Sequence, residues 1–285
     1  MLTLSYRLTG IRNRATAVLV AAVAAFPAWA GTAGLALEPG RLEIEVKPGA
    51  QKTMTFQIES PPSDEAVRGR LLLSLTDWDL SEDGSLSFQE PASQKMSAAP
   101  WITFTPAAIS IASGEKYLVR VTVDVPSGTP SGVYRAGIFV QERPPATPPK
   151  PGEHNILFRF RYMETLYVIV QPVAARPSLV STGLETAGQK LQIVCKMKNE
   201  GLGFVRPYIA WTLRNESHAV VAETKSREAT VLLPMVSLSE RFPLENIPAG
   251  KYELSMKVDF HDDGPLQSIV RTVEIARPGA TPALE

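Results

Sequence analysis

The chain has 285 residues, with 29 Lys and Arg against 29 Asp and Glu, 44% hydrophobic and 20% charged, the profile of a globular protein. Disorder and the basic excess of a nucleic-acid binder are excluded by that balance, and three His with one Cys exclude a Cys/His zinc site, a disulfide framework or an iron–sulfur cluster. The length suits two domains with a core each, and 24 Pro argue against long helices.

The N-terminus sets Arg7, Arg12 and Arg14, with no acid, before an apolar run from Ala15 to Phe26, then Pro27 and Ala28-Trp29-Ala30. That order predicts a secretory signal peptide over residues 1–30, because the run is shorter than the ~20 residues of a spanning helix and an A-x-A cleavage signal follows. Cleavage removes three of 29 basic residues and no acid, leaving 26 against 29. No later apolar stretch approaches spanning length and no Cys follows the signal to take a lipid. The expected product is exported to the periplasm, with secretion or surface association as the alternatives, and has no transmembrane segment in the mature chain.

Farther along, Asp79, Ser81, Asp83, Ser87 and Glu90 place oxygens at positions 1, 3, 5, 9 and 12 of a calcium loop, with Gly84 at position 6. A calcium loop of that kind needs flanking helices, whereas Arg70–Trp78 reads as a strand. A hairpin turn at Glu82-Asp83-Gly84-Ser85 is therefore predicted, with no metal and no other cofactor.

Tyr117–Val125 alternates strictly, with Tyr117, Val119, Val121, Val123 and Val125 on one face and Arg120, Thr122 and Asp124 on the other, the pattern of a half-buried antiparallel strand. Pro130-Ser-Gly132-Val-Tyr134 matches Pro248-Ala-Gly250-Lys-Tyr252 at an interval of 248 − 130 = 118 residues, one immunoglobulin-like sandwich in length. Each Gly-x-Tyr suits the corner where a Tyr hydroxyl ties back to nearby backbone. Between these copies, 143–152 holds five Pro in ten residues and reads as a stiff exposed loop.

After that loop, Ile156, Phe158, Phe160 and Tyr162 share one face, with Arg159 and Arg161 on the other, in a run that continues to Pro172. These large residues either fill their own domain's core or project from a sheet edge to complete another protein's sheet by strand addition. A boundary is placed near Ala174–Pro177. Cys195 shares the parity of Leu191, Ile193 and Met197 and is expected to be buried and inert. Trp211 between Ile209 and Leu213 suits a buried central strand. Tyr252, Leu254, Met256, Val258 and Phe260 make another inward set.

The fold expected is all-β: two tandem immunoglobulin-like β-sandwiches over 31–175 and 176–278, after the signal peptide and before a polar tail at 279–285. His154, His218 and His261 fall in separate turns or loops without ligand spacing, and no G-x-S-x-G, P-loop, G-x-G-x-x-G or S-x-x-K occurs, so no enzyme is expected.

At the 156–172 run the sequence resembles the periplasmic pilus-assembly chaperones, the PapD-like superfamily of two immunoglobulin-like domains. The resemblance implies that Phe158, Phe160 and Tyr162 fall on the alternating positions of a donated strand. It also implies that Arg41, in Leu37-Glu-Pro-Gly-Arg41, receives a subunit's terminal carboxylate in the cleft between domains. Tyr167 stands where that family places a partner Lys, so Arg159 or Arg161 would take the Lys role only by pointing into the cleft. A second resemblance is to the WxL-interacting cell-surface proteins, through Asp77-Trp78, Asp83-Gly84, Ser97–Pro106, Gly114, Val121–Pro126, Gly132-Val-Tyr134 and Asn199-Glu-Gly201. It implies a peptidoglycan-binding first domain beside a partner-binding second, with Trp78 and Trp101 on glycan. The leading expectation is a non-enzymatic chaperone-like assembly factor for fimbria-like surface structures that binds a pilus or surface subunit by strand addition, and the alternative is a surface or peptidoglycan-binding adhesion protein.

Overall fold

The computed structural model describes residues 34–62, 68–142, 160–188, 190–262 and 264–276. The predicted signal peptide, the Pro-rich run at 143–152, Ile156, Phe158, Arg159, His154 and the polar tail at 279–285 lie outside the described residues.

Ten strands form the first sandwich: β1 (Ala36–Glu38), β2 (Arg41–Val46), β3 (Gln51–Glu59), β4 (Arg68–Leu80), β5 (Leu86–Gln89), β6 (Ile102–Thr105), β7 (Ala108–Ala112), β8 (Lys116–Asp124), β9 (Gly132–Glu142) and β10 (Arg161–Val170). One sheet runs β1-β3-β8-β6, the other β2-β10-β9-β4-β5, with β7 also on β4. Alternation explains the core between them. Leu42, Ile44 and Val46 of β2 meet Val119, Val121 and Val123 of β8, Phe56 and Ile58 of β3, and Ala136, Ile138 and Val140 of β9. Tyr117 departs from its alternating set and is 41% exposed, because it stands at the start of β8 opposite Ile58 near the sheet's end.

The second sandwich holds β11 (Pro177–Ala187), β12 (Lys190–Asn199), β13 (Tyr208–Asn215), β14 (Val220–Glu228), β15 (Ser237–Leu244), β16 (Gly250–Asp259) and β17 (Gln267–Ile275), in sheets β11-β12-β15 and β14-β13-β16-β17. Its core takes Cys195, Met197, Ile209, Trp211, Leu213, Leu254, Met256, Val258 and Phe260. Burial pushes the Cys195 thiol up to about 12, so it stays protonated and unreactive. Both tyrosine corners form: Tyr134 donates to Pro130 O at 3.0 Å and Tyr252 to Pro248 O at 2.8 Å.

A third apolar cluster joins the sandwiches. Trp78, Val133, Tyr167 and Ile169 come from the first and Leu233 from the second, with Phe204, Val231 and Val236 packed against them. The hairpin tip read as a turn at Glu82–Ser85 also docks across, with Glu82 O accepting from Ser239 N at 2.7 Å. Within that turn the Asp83 carboxylate accepts from the Ser81 hydroxyl and from Ser85 N, and these bonds hold it down at about 2. Among the described residues no group of three or more His, Cys, Asp or Glu could hold a metal ion.

Between the sandwiches, Asn199 is buried and bridges two chain segments. Its Nδ2 donates to Gly203 O at 2.7 Å and Leu233 O at 3.1 Å, while its Oδ1 accepts from Arg176 N at 3.0 Å and Gly201 N at 2.9 Å. A Cβ on Gly201 would stand 2.3 Å from Ala174 O, so only glycine lets the loop lie against the 174–176 connection. Replacing Asn199 with Ala leaves two N–H groups and two carbonyls without their partner. A loss of about 3 kcal/mol in urea unfolding is expected for Asn199→Ala, and at least as large a loss at neutral pH for Asn199→Asp, which sets a buried carboxylate oxygen against the Gly203 and Leu233 carbonyls.

Candidate functional site: an open strand edge and the cleft beside it

The pairing of β10 is asymmetric. On one side β9 pairs with it from Arg161 through Val170, but on the other β2 runs parallel only from Thr165 to Val170, opposite Arg41 to Val46. Over Arg161–Glu164, then, one backbone edge of β10 has no strand partner among the described residues. An unpaired edge is a template for a further strand.

Phe160, just before this edge, is 44% exposed, and its ring centroid lies 6.5 Å from that of Tyr162. Tyr162 is half-buried against the first core. Arg161 faces the opposite way, its guanidinium 4.6 Å from the Phe139 centroid and its Nε donating to Gln141 Oε1 at 3.1 Å. Six residues along the strand, roughly 20 Å, separate it from Tyr167, so Arg161 does not enter the cleft as the Lys replacement would require.

Glu164 points into the first sandwich. It is fully buried, neither carboxyl oxygen has a partner among the described residues, and burial pushes it up to about 8.

Where the open edge ends, a cleft of about 320 Å³ begins, lined by Arg41, Phe204, Val205, Arg206, Tyr208, Glu228, Phe260 and His261. Arg41, the first residue of β2, reaches Glu43 and Glu228 at 3.4 Å each. Tyr167 is buried, edge-on to Trp78 with centroids 5.5 Å apart, and burial raises its hydroxyl. The cation over it is Arg206, which sequence reasoning missed. Its guanidinium lies 5.2 Å from the Tyr167 centroid and 4.8 Å from that of Phe204, and it pairs with Glu43 at 2.8 Å. The available signal was Phe204-Val-Arg206-Pro-Tyr208, an arginine between aromatics directly after the Asn199–Gly203 loop.

The glycan role of the tryptophans meets a steric obstacle. Trp78 is 2% exposed, donates its indole N–H to Ala136 O at 2.9 Å and is covered by Tyr167 and the Arg135 guanidinium. Trp101 packs half-buried on Tyr134, centroids 4.5 Å apart. Trp78 therefore offers no face on which a sugar ring could stack.

No family model matches this chain, and no curated protein does. Among solved structures it is similar to the class 5 fimbriae chaperone CfaA (10% identity, 84% of this chain and 99% of that one, TM-score 0.43). It is similar also to the CsuC–CsuE chaperone–tip subunit pre-assembly complex of the archaic chaperone-usher Csu pili of Acinetobacter baumannii (15%, 85% and 98%, TM-score 0.44). A third is the E. coli chaperone DraB (17%, 86% and 98%, TM-score 0.40). Each of these three structures is, or contains, a chaperone.

The Glu164 carboxyl generates a pH prediction. Below its ordinary value of 4.5 both folded and unfolded chains hold the proton; between 4.5 and about 8 only the folded chain does. Stability contributed by this group therefore declines as pH rises through that window and levels off above it. Glu164→Gln is expected to flatten the decline and to be more stable than the wild type by on the order of 3 kcal/mol at pH 8.5, read by urea unfolding across pH 4 to 9.

Proposed function

We propose that this protein is a non-enzymatic, periplasmic chaperone-like assembly factor for fimbria-like surface structures, acting by β-strand donation. On this reading residues 1–30 are removed on export and the sandwiches over 31–175 and 176–278 act together. The observation that carries the reading is the open edge of β10 over Arg161–Glu164, with the half-exposed Phe160 leading into it.

Register adds direction. A partner strand laid on this edge in line with β2, and parallel to β10, runs toward the first residue of β2. Its C-terminal end arrives at Arg41, with Arg206 across the cleft, so a free terminal carboxylate meets two guanidiniums. Backbone hydrogen bonds then fix the alignment, while buried alternating apolar side chains and the terminal charge supply affinity and register. Ile156, Phe158, Phe160 and Tyr162 serve as the donor set in this scheme, while Arg159 and Arg161 lie on its other face.

No chemistry on the partner is called for. The buried Cys195 is held as a thiol, and Glu164 is buried with no basic partner within bonding distance among the described residues.

The test is co-expression with candidate fimbria-like surface subunits from the same genome, followed by affinity capture. Changing Phe158 and Phe160 together to Ser is expected to lower co-purified subunit at least tenfold while the melting temperature stays within a few degrees. Undiminished capture by the double variant would overturn strand donation.

A further inference from the structure

The cleft contains two guanidiniums and two carboxylates, and each sandwich contributes one of either sign. Arg41 and Glu43 belong to β2; Arg206 and Glu228 belong to the second sandwich. Their pairing is crosswise: Arg41 Nη1 to Glu228 Oε1 at 3.4 Å, and Arg206 Nη2 to Glu43 Oε1 at 2.8 Å. Arg41 Nε to Glu43 at 3.4 Å and Arg206 Nε to Glu228 at 4.0 Å close the square. The second oxygen of Glu228 accepts from the Tyr208 hydroxyl at 3.3 Å.

The formal charge of the four groups is zero, so a carboxylate entering the cleft meets cations that carboxylates of this same chain already hold. The four are not equally fixed. Arg206 lies against the Tyr167 and Phe204 rings with its side chain 15% exposed, whereas Arg41, Glu43 and Glu228 are 49%, 36% and 39% exposed. Of the two carboxylates Glu43 is the more closely held, 2.8 Å from Arg206 and 3.4 Å from Arg41, whereas Glu228, the last residue of β14, stands at 4.0 and 3.4 Å, so its side chain is the one that can swing away.

We propose that Glu228 is a built-in stand-in for the partner's carboxylate. It occupies Arg41 and ties the second sandwich to the first while the cleft is empty, and a free α-carboxylate from the partner displaces it. The inference rests on the reading that Arg41 receives such a carboxylate. Displacement makes the site selective, because an internal competitor acts at high effective concentration. A small anion in solution cannot win against it, whereas a carboxylate delivered on a strand that also pairs with β10 can.

The test uses the mature protein and two synthetic peptides of one alternating Val/Thr sequence, one with a free C-terminal carboxylate and one amidated, in calorimetry at low salt. Glu228→Gln is expected to bind the free acid up to about fivefold tighter than the wild type, with amide affinity unchanged and the gain shrinking as salt is added. Tyr208→Phe, which keeps every charge but frees one oxygen of Glu228, is expected to give a gain of about twofold in the same direction. If wild type and Glu228→Gln prefer the acid equally, or Tyr208→Phe binds it no better than wild type, the stand-in is overturned while Arg41 remains the anchor. If neither protein distinguishes acid from amide, or neither peptide binds, the carboxylate reading falls and the stand-in with it.

Discussion

The proposed contact edge follows from one constraint, that β10 is packed on both faces. Leu166, Val168 and Val170 enter the first core, and Tyr167 and Ile169 enter the cluster between the sandwiches. A strand so enclosed has no side-chain face to offer over this stretch. What it retains for a partner is backbone, and β2 covers that backbone only from Thr165 onward. The functional reading thus depends on where a parallel strand begins, and Arg41 marks that point.

Magnitudes separate what holds the sandwiches together from what is free to respond. Each apolar side chain closed into the joining cluster contributes roughly 1.5–3 kcal/mol, and the Glu82–Ser239 backbone bond about 1 more. The exposed Arg41–Glu228 pair is worth about 0–1 kcal/mol. Apolar burial therefore sets the arrangement, and the ionic square can be rearranged by a ligand without dismantling it. Arg206 is the intermediate case, since its ring contacts hold it in place whichever carboxylate it faces.

The fold was legible wherever a residue's own period decided its place. Two-residue alternation located the inward faces of β8 and β16, the paired Gly-x-Tyr motifs located both corners, and parity put Cys195 and Trp211 inside. Alternation says which way a side chain points but not what comes to cover it. Trp78 points away from its own core, as Leu72 and Ser74 do, and reads as a surface aromatic until the second sandwich closes over it. Arg206 is harder still: its partner Glu43 lies 163 positions earlier in the chain, and nothing local reports that meeting. Glu164 was passed over because a carboxylate in a strand is ordinarily assigned to the solvent face.

Four residues of open edge offer few hydrogen bonds, each worth about 1 kcal/mol net, which is less than the ordering of a partner strand costs. Edge pairing alone therefore cannot hold a complex. On the strand-donation reading, affinity has to come from apolar side chains buried at one end, where Phe160 stands half-exposed, and from charge at the other, where Arg41 stands. Five steps of strand, roughly 17 Å, separate Phe160 from Thr165, the residue opposite Arg41. A ligand satisfying both must be an extended chain with apolar alternation and an anionic end in the right register. Two anchors a fixed span apart discriminate against chains that match only one, so selectivity resides in the spacing as much as in either contact.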